Sequence, residues 1–358
     1  MALPFSLLFF LCLIFSHVFG CLGPYTTVFV FTTTCIETLR NLRRRLSLWE
    51  ITCHTYLQLI QLLGLDVRVL LLGASGFIGR SIAAKAPSNV ELTGTYYRNK
   101  PEFGTYHIEQ LNYLDPTINW QRFVSKYDCI IIAARANGGN QKNRDKVAKV
   151  GQDAFRNFIN AVNKIDSKPF IVAINGSLTY GNRGEELIRP SDEIKPTGYA
   201  RSYAIAEKPF RDFLTDGNNI ALIRAPWVLG ASSWFPMMYL VPKHIPILKN
   251  GKQWMSILSV DDLADYVWGL VQSPKEGVLH PPLTFRCRQR DFANIVHQVT
   301  SKPIRKIGAL RRRKMEIQMR ESVLASIKLD DGRDDCSENQ DSEKRLRTLI
   351  EEIHSGFS

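Results

Sequence analysis

Two hydrophobic periods alternate along most of the chain. Apolar runs rich in β-formers occur at 67–72, 90–98, 126–134, 170–174 and 219–225, and each reads as a buried strand. Helical patterns lie between them. Ile78, Ile82 and Ala86 fall four apart after the first run, and Phe155, Phe158, Ile159 and Val162 share one face of a predicted helix over 150–162. Strands alternating with helices predict an α/β fold: a doubly wound parallel sheet with helices on both faces and a small C-terminal substrate region.

The first strand-to-helix junction carries the chemistry. Gly73, Gly76 and Gly79 follow the run 67–72 at a spacing of three and open the first helical pattern. In such a junction the first glycine permits a tight turn. The second lets backbone approach a pyrophosphate, and the third lets helix pack on strand. The phosphates would sit on the free N–H groups of the helix N-terminus. A dinucleotide fold selecting NAD places an acid at the end of the second strand, on the ribose 2′-hydroxyl. Here that end reads Thr95-Tyr96-Tyr97-Arg98-Asn99-Lys100. Arg98 and Lys100 there suit a 2′-phosphate, which favours NADP over NAD; the other reading of Arg98 is a solvated surface charge.

Gly73-Ala74-Ser75-Gly76-Phe77-Ile78-Gly79 resembles the cofactor loop of the extended short-chain dehydrogenase/reductase family, the NAD(P)-dependent sugar epimerases and dehydratases. The resemblance runs from about Val67 to about Ile307 and recurs at several motifs. It implies that Asn112 touches the adenine, where the family commonly has Asp. It implies that Ala133 and Ala134 let the cofactor lie across a strand tip, although Ile132 replaces a usual His. The stretch Asn219 to Gly230 matches the family's Leu-Arg-x-x-x-Val-x-Gly pattern, with Arg224, Val228 and Gly230 in register, and implies that Pro226 and Val228 cover the nicotinamide end. Trp227, Trp234 and Phe235 then either line the substrate side or are ordinary core aromatics. Asp261 and Asp262 are expected to cap the following helix.

The catalytic motif is altered. In the family a tyrosine exchanges a proton with the substrate hydroxyl, while a lysine one turn on lowers its pKa and holds the nicotinamide ribose. Tyr199 matches the tyrosine, but the lysine position is Tyr203; Glu207 matches a Glu eight residues after the tyrosine and fixes the alignment. Lys208 and Arg201 point to other faces of the helix. The usual catalytic hydroxyl position is Gly176, and Ser177 fills the role if its loop shifts by one. Tyr199, Ser177 and Tyr203 are therefore the candidate catalytic residues. The resemblance implies an enzyme acting on a nucleotide sugar or similar hydroxyl or carbonyl substrate, with a homodimer possible. The lost lysine supports a different reading, a catalytically idle NAD(P)-binding scaffold or sensor.

Composition refines this picture little. The chain has 358 residues, 45% apolar and 22% charged, with a formal net charge of +12. Its seven cysteines lie far apart with no CxxC pair, which argues against a disulfide framework and a metal site. Residues 1–64 are expected to lie outside the fold. Their apolar stretch from Leu3 to Phe19 reads as a cleaved signal, as an anchor with the rest of the chain cytosolic, or as a leader without a role. Membrane association would run through 1–34; otherwise the protein is cytoplasmic, or secretory if the signal is cleaved. Residues 302–314 hold seven Lys/Arg and no acid. Such a run binds nucleic acid or anionic lipid, or is a solvated basic surface, the reading favoured here because no RNA-binding motif accompanies it. The expected divisions are 1–64, a dinucleotide-binding domain over 65–325 whose substrate region comes from 180–200 and 231–325, and a polar tail over 326–358. Within that tail, 329–344 reads as disordered and 345–353 as a short helix.

Overall fold

The computed structural model describes residues 66–101, 106–136, 138–333 and 340–357. The apolar leader and the cysteines at 12, 21, 35, 53 and 336 lie outside them.

In chain order the strands are β1 (Val67–Leu72), β2 (Val90–Tyr96), β3 (His107–Gln110), β4 (Cys129–Ile132) and β5 (Phe170–Gly176). Then come β6 (Leu187–Ile188), β7 (Ile220–Ala225), β8 (Trp227–Leu229), β9 (Ile245–Leu248) and β10 (Trp254–Ser259). Last are β11 (Gly277–Leu279), β12 (Phe285–Arg288), β13 (Ile304–Ile307) and β14 (Lys328–Leu329). The helices are α1 (Phe77–Ala84), α2 (Trp120–Val124), α3 (Gln141–Val162), α4 (Ala200–Thr215) and α5 (Val260–Gln272). They are followed by α6 (Gln289–Thr300), α7 (Ala309–Arg313), α8 (Ile317–Leu324) and α9 (Gln340–Ser355).

Seven strands form one sheet in the order β11-β7-β5-β4-β1-β2-β3, and every pairing in it is parallel. This is the doubly wound architecture that the alternating periods predict. Its strands are apolar on both faces because helices cover both faces. Leu70, Leu72, Ile130 and Ile132 meet Phe155, Phe158, Ile159 and Val162 of α3 in one core. The strand order reverses beside β1, so β1 and β4 diverge at their C-terminal ends and leave a crevice.

A second core joins the C-terminal elements, with Phe235, Tyr239, Phe285 and Phe292 packed together. Here the tail differs from expectation. Residues 328–329 pair with β6, and α9 begins at Gln340 rather than at 345. Leu346, Ile350 and Ile353 share one face of α9 and are buried in this second core. Spacings of four and three among otherwise charged residues are the amphipathic signal. The acidic segment beside them masked it.

Asp261 and Asp262 do not cap α5. Ser259 is the N-cap, and its hydroxyl accepts from Asp261 N–H at 3.2 Å. The two carboxylates sit in the first turn, where the helix dipole favours them. There Asp261 accepts from the Ser81 hydroxyl and Asp262 from the Thr284 hydroxyl, both at 2.8 Å.

Candidate active site

The crevice at the strand tips is a cleft of about 1680 Å³. A single ligand site usually occupies about 300–1,000 Å³, so there is room for a dinucleotide and a second molecule.

The glycine loop forms one wall. Gly73 has φ +92°, and a Cβ there would lie 2.8 Å from the Ala134 backbone, so the turn needs glycine. A Cβ on Gly79 would lie 2.1 Å from the Gly73 carbonyl oxygen, which fixes the close approach of helix to turn. Gly76 is the N-cap of α1, and no side chain caps that helix. A Cβ there would meet only the Gly73 oxygen, at 3.3 Å. Ser75, Gly76, Phe77 and Ile78 line the cleft beside this uncapped end, as does Gly73. Ala74 is fully buried and Gly79 is packed on the turn, so these two shape the loop without lining the cleft. Thr95 ties the loop to β2: its hydroxyl accepts from Gly73 N–H at 3.1 Å and its carbonyl from Ala74 N–H at 2.8 Å. An uncapped helix start and a turn with no room for side chains fit a dinucleotide's pyrophosphate.

Arg98, Asn112, Ala133, Ala134, Pro226 and Val228 all line the cleft. Arg98 is exposed, with its guanidinium 5.2 Å from the Tyr97 ring centroid. The Asn112 side-chain oxygen accepts from Leu114 N–H at 3.3 Å, so it also holds its own turn. Among the described lining residues six are Lys or Arg: Arg98, Arg135, Arg144, Lys243, Arg305 and Arg311. The one carboxylate among them is Glu207. It is buried and consumed by Arg224 and Arg211, the latter at 2.9 Å. The cleft is therefore electropositive and suited to polyanions.

Tyr199 is the N-cap of α4 and Tyr203 lies on its first turn. Among the described residues no lysine pairs with either hydroxyl. The Tyr199 hydroxyl donates to Glu316 Oε2 at 3.2 Å, while the Arg144 guanidinium lies 4.8 Å from its ring centroid. Arg144 is held in turn by Glu316 at 2.5 Å and by Gln318 at 2.6 Å. Burial raises the Tyr199 pKa above its ordinary 10.0 and the Glu316 carboxylate raises it further, against a smaller lowering by Arg144. Tyr203 carries a different cation. The guanidinium of Arg135, next after the two alanines, lies 4.0 Å from its ring centroid. Arg135 forms no ion pair among the described residues.

The remaining candidates divide. Ser177 lines the cleft at the start of a turn of 3-10 helix, next to Gly176. Trp227 and Trp234 line it as an edge-to-face pair 4.8 Å apart, whereas Phe235 is core. Of residues 180–200 only Tyr199 lines the cleft; Arg183, Leu187 and Ile188 instead meet 326–329, as in the Arg183 N–H bond to the Ser326 carbonyl. Lys208 pairs with Asp212 at 2.6 Å and Arg201 with Glu321 at 2.7 Å, so neither serves Tyr199. Arg135, Arg144 and Glu316 escape sequence reading because they come from separate segments. The signal for Arg135 was its position directly after the alanine pair.

A parallel doubly wound sheet with a glycine-turned cleft at its switch point defines a dinucleotide-binding class of protein. The sequence model of the NAD dependent epimerase/dehydratase family matches residues 69–281, and the chain belongs to that family. Among solved structures it is similar to a UDP-N-acetylglucosamine 4-epimerase from Methanobrevibacter ruminantium in complex with UDP-N-acetylmuramic acid. That match has a TM-score of 0.64 at 17% identity and covers 82% of this chain and 98% of the other. A human epimerase family protein, SDR39U1, with NADPH gives 0.62 at 16% identity, covering 80% and 99%. A dTDP-glucose 4,6-dehydratase from Streptomyces venezuelae with NAD bound gives 0.60 at 15% identity, covering 81% and 97%. At such identities the likeness concerns the fold. No curated protein sequence matches the chain.

Proposed function

We propose that the chain is an NAD(P)-dependent epimerase, dehydratase or reductase acting on a nucleotide sugar or similar anionic hydroxyl or carbonyl substrate. The observation that carries this reading is the cleft itself, glycine-turned at one end and lined by six cations, one of them paired with Glu316, against one neutralised carboxylate. The nicotinamide cofactor, when bound, supplies the hydride acceptor or donor. Gly73, Ser75, Gly76, Phe77 and Ile78 hold its pyrophosphate, with Ala133, Ala134 and Asn112 along its length and Pro226 and Val228 at its far end. Arg98, with no acid at the end of β2, favours NADP. Tyr199 exchanges the substrate's hydroxyl proton, Ser177 orients that hydroxyl, and Trp227 and Trp234 face the substrate. Arg135, stacked on Tyr203, supplies a fixed positive charge near the position of the family's lysine.

One observation favours a second reading, an idle cofactor binder: the Tyr199 hydroxyl is held by a carboxylate that opposes its ionisation. Tyr203→Lys separates the two. Hydride transfer with a panel of nucleotide sugars, followed by nicotinamide absorbance, is expected in wild type and to rise in the variant. Dinucleotide binding with no turnover in either protein would instead establish the idle binder.

A further inference from the structure

Five of the nine large apolar side chains exposed among the described residues fall in two short segments. They are Met237 and Val241 in one, and Leu310, Ile317 and Met319 in the other. Leu310 is 77% and Met237 67% exposed, values far from a core position. Monomeric soluble proteins scatter such residues singly. The same region is strongly basic. Residues 236–253 and 302–320 together hold eleven Lys/Arg and one acid, Glu316, which is paired with Arg144.

The fold makes these segments one rim. β9 and β13 pair in parallel, setting Arg305 opposite Pro246 and Lys306 opposite Ile247. The Lys302 ammonium donates to the Leu240 and Pro242 carbonyls. Met237, Lys243, Arg305, Arg311 and Met319 all line the cleft, so the rim surrounds its mouth.

We propose that this rim docks the mouth of the cleft onto an anionic lipid surface. Aliphatic side chains that enter the acyl boundary, ringed by Lys and Arg at headgroup level, are the chemistry of interfacial binding. The alternatives fit less well. Single-stranded RNA is held by aromatic stacking platforms, and all five exposed side chains are aliphatic. A second copy docked by the same face would oppose one basic surface to another. The inference concerns the surface and does not depend on the catalytic reading.

The test uses the full chain sedimented with phosphatidylcholine vesicles, with and without phosphatidylserine. Wild type is expected to bind the anionic vesicles about tenfold or more tightly, with the difference shrinking at high salt. Arg313→Glu with Lys314→Glu, both exposed, is expected to remove that selectivity. Met237→Ser with Leu310→Ser is expected to weaken binding to anionic vesicles while leaving thermal unfolding unchanged. Anionic vesicles are also expected to slow tryptic cleavage after Arg311 to Lys314 relative to cleavage after Lys164. If every variant sediments as wild type does and cleavage is not slowed, residues 1–64 account for the binding and the proposal fails. Binding to single-stranded RNA but not to vesicles, or dimerisation lost in the same variants without vesicle binding, would overturn it too.

Discussion

Two arginines and a glutamate set the electrostatics of the two helix tyrosines. A tyrosine that works as a base must ionise, and both burial and Glu316 push Tyr199 above 10.0. Under the proposed reading, activity that needs the tyrosinate rises with pH and reaches no plateau below about 10. Glu316→Gln removes the opposing charge while keeping an oxygen to cap α8, where Glu316 accepts from Met319 N–H at 3.0 Å. The profile is then expected to move to lower pH. A profile unmoved by the change would show that Glu316 does not control Tyr199. Arg98 and Arg135 are expected to act at opposite ends of the dinucleotide. Arg98→Ala should weaken NADP several-fold more than NAD. Arg135→Ala should weaken NADP but leave adenosine 2′,5′-bisphosphate, which lacks the nicotinamide half, bound as before. Equal losses for NADP and NAD would reject the first role, and equal losses for NADP and the fragment the second.

At the scale of elements, the sequence was most legible where period and punctuation agreed. β1, the glycine turn and the start of α1 stand as read, because a strand period, a required positive φ at Gly73 and a helix period meet within twenty residues; α1 ends at Ala84, before the predicted face reaches Ala86. The α3 face of Phe155, Phe158, Ile159 and Val162 was legible for the same reason. The C-terminal end was not. Its short strands pair across long separations, as Lys328 does with Leu187, and no local pattern encodes such a partner. α9 was read too short because its apolar residues are sparse among charges. Its burial gives a direct test. Leu346 is fully buried in the second core, so Leu346→Ala is expected to cost about 2–5 kcal/mol in chemical denaturation. A loss below about 0.5 kcal/mol, the range of surface substitutions, would mean that α9 is a dispensable tail.

For the molecule as a whole, the site is a property of the cleft more than of any motif. The glycine loop was visible in sequence. Of its cations Arg98 and the basic run holding Arg305 and Arg311 were visible in sequence, but not that Arg135, Arg144 and Lys243 join them, since these come together from separate segments. The central claim is that this cleft holds a dinucleotide on the turn at Gly76, and titration of NADP against wild type and Gly76→Asp tests it most directly. A Cβ at Gly76 meets only one oxygen, at 3.3 Å, so the variant is expected to fold with an unchanged circular dichroism spectrum. Its carboxylate would stand where the pyrophosphate approaches, and NADP affinity is expected to fall by about a hundredfold or more, as for like charges meeting in a confined site. Equal affinity in the two folded proteins would contradict the account.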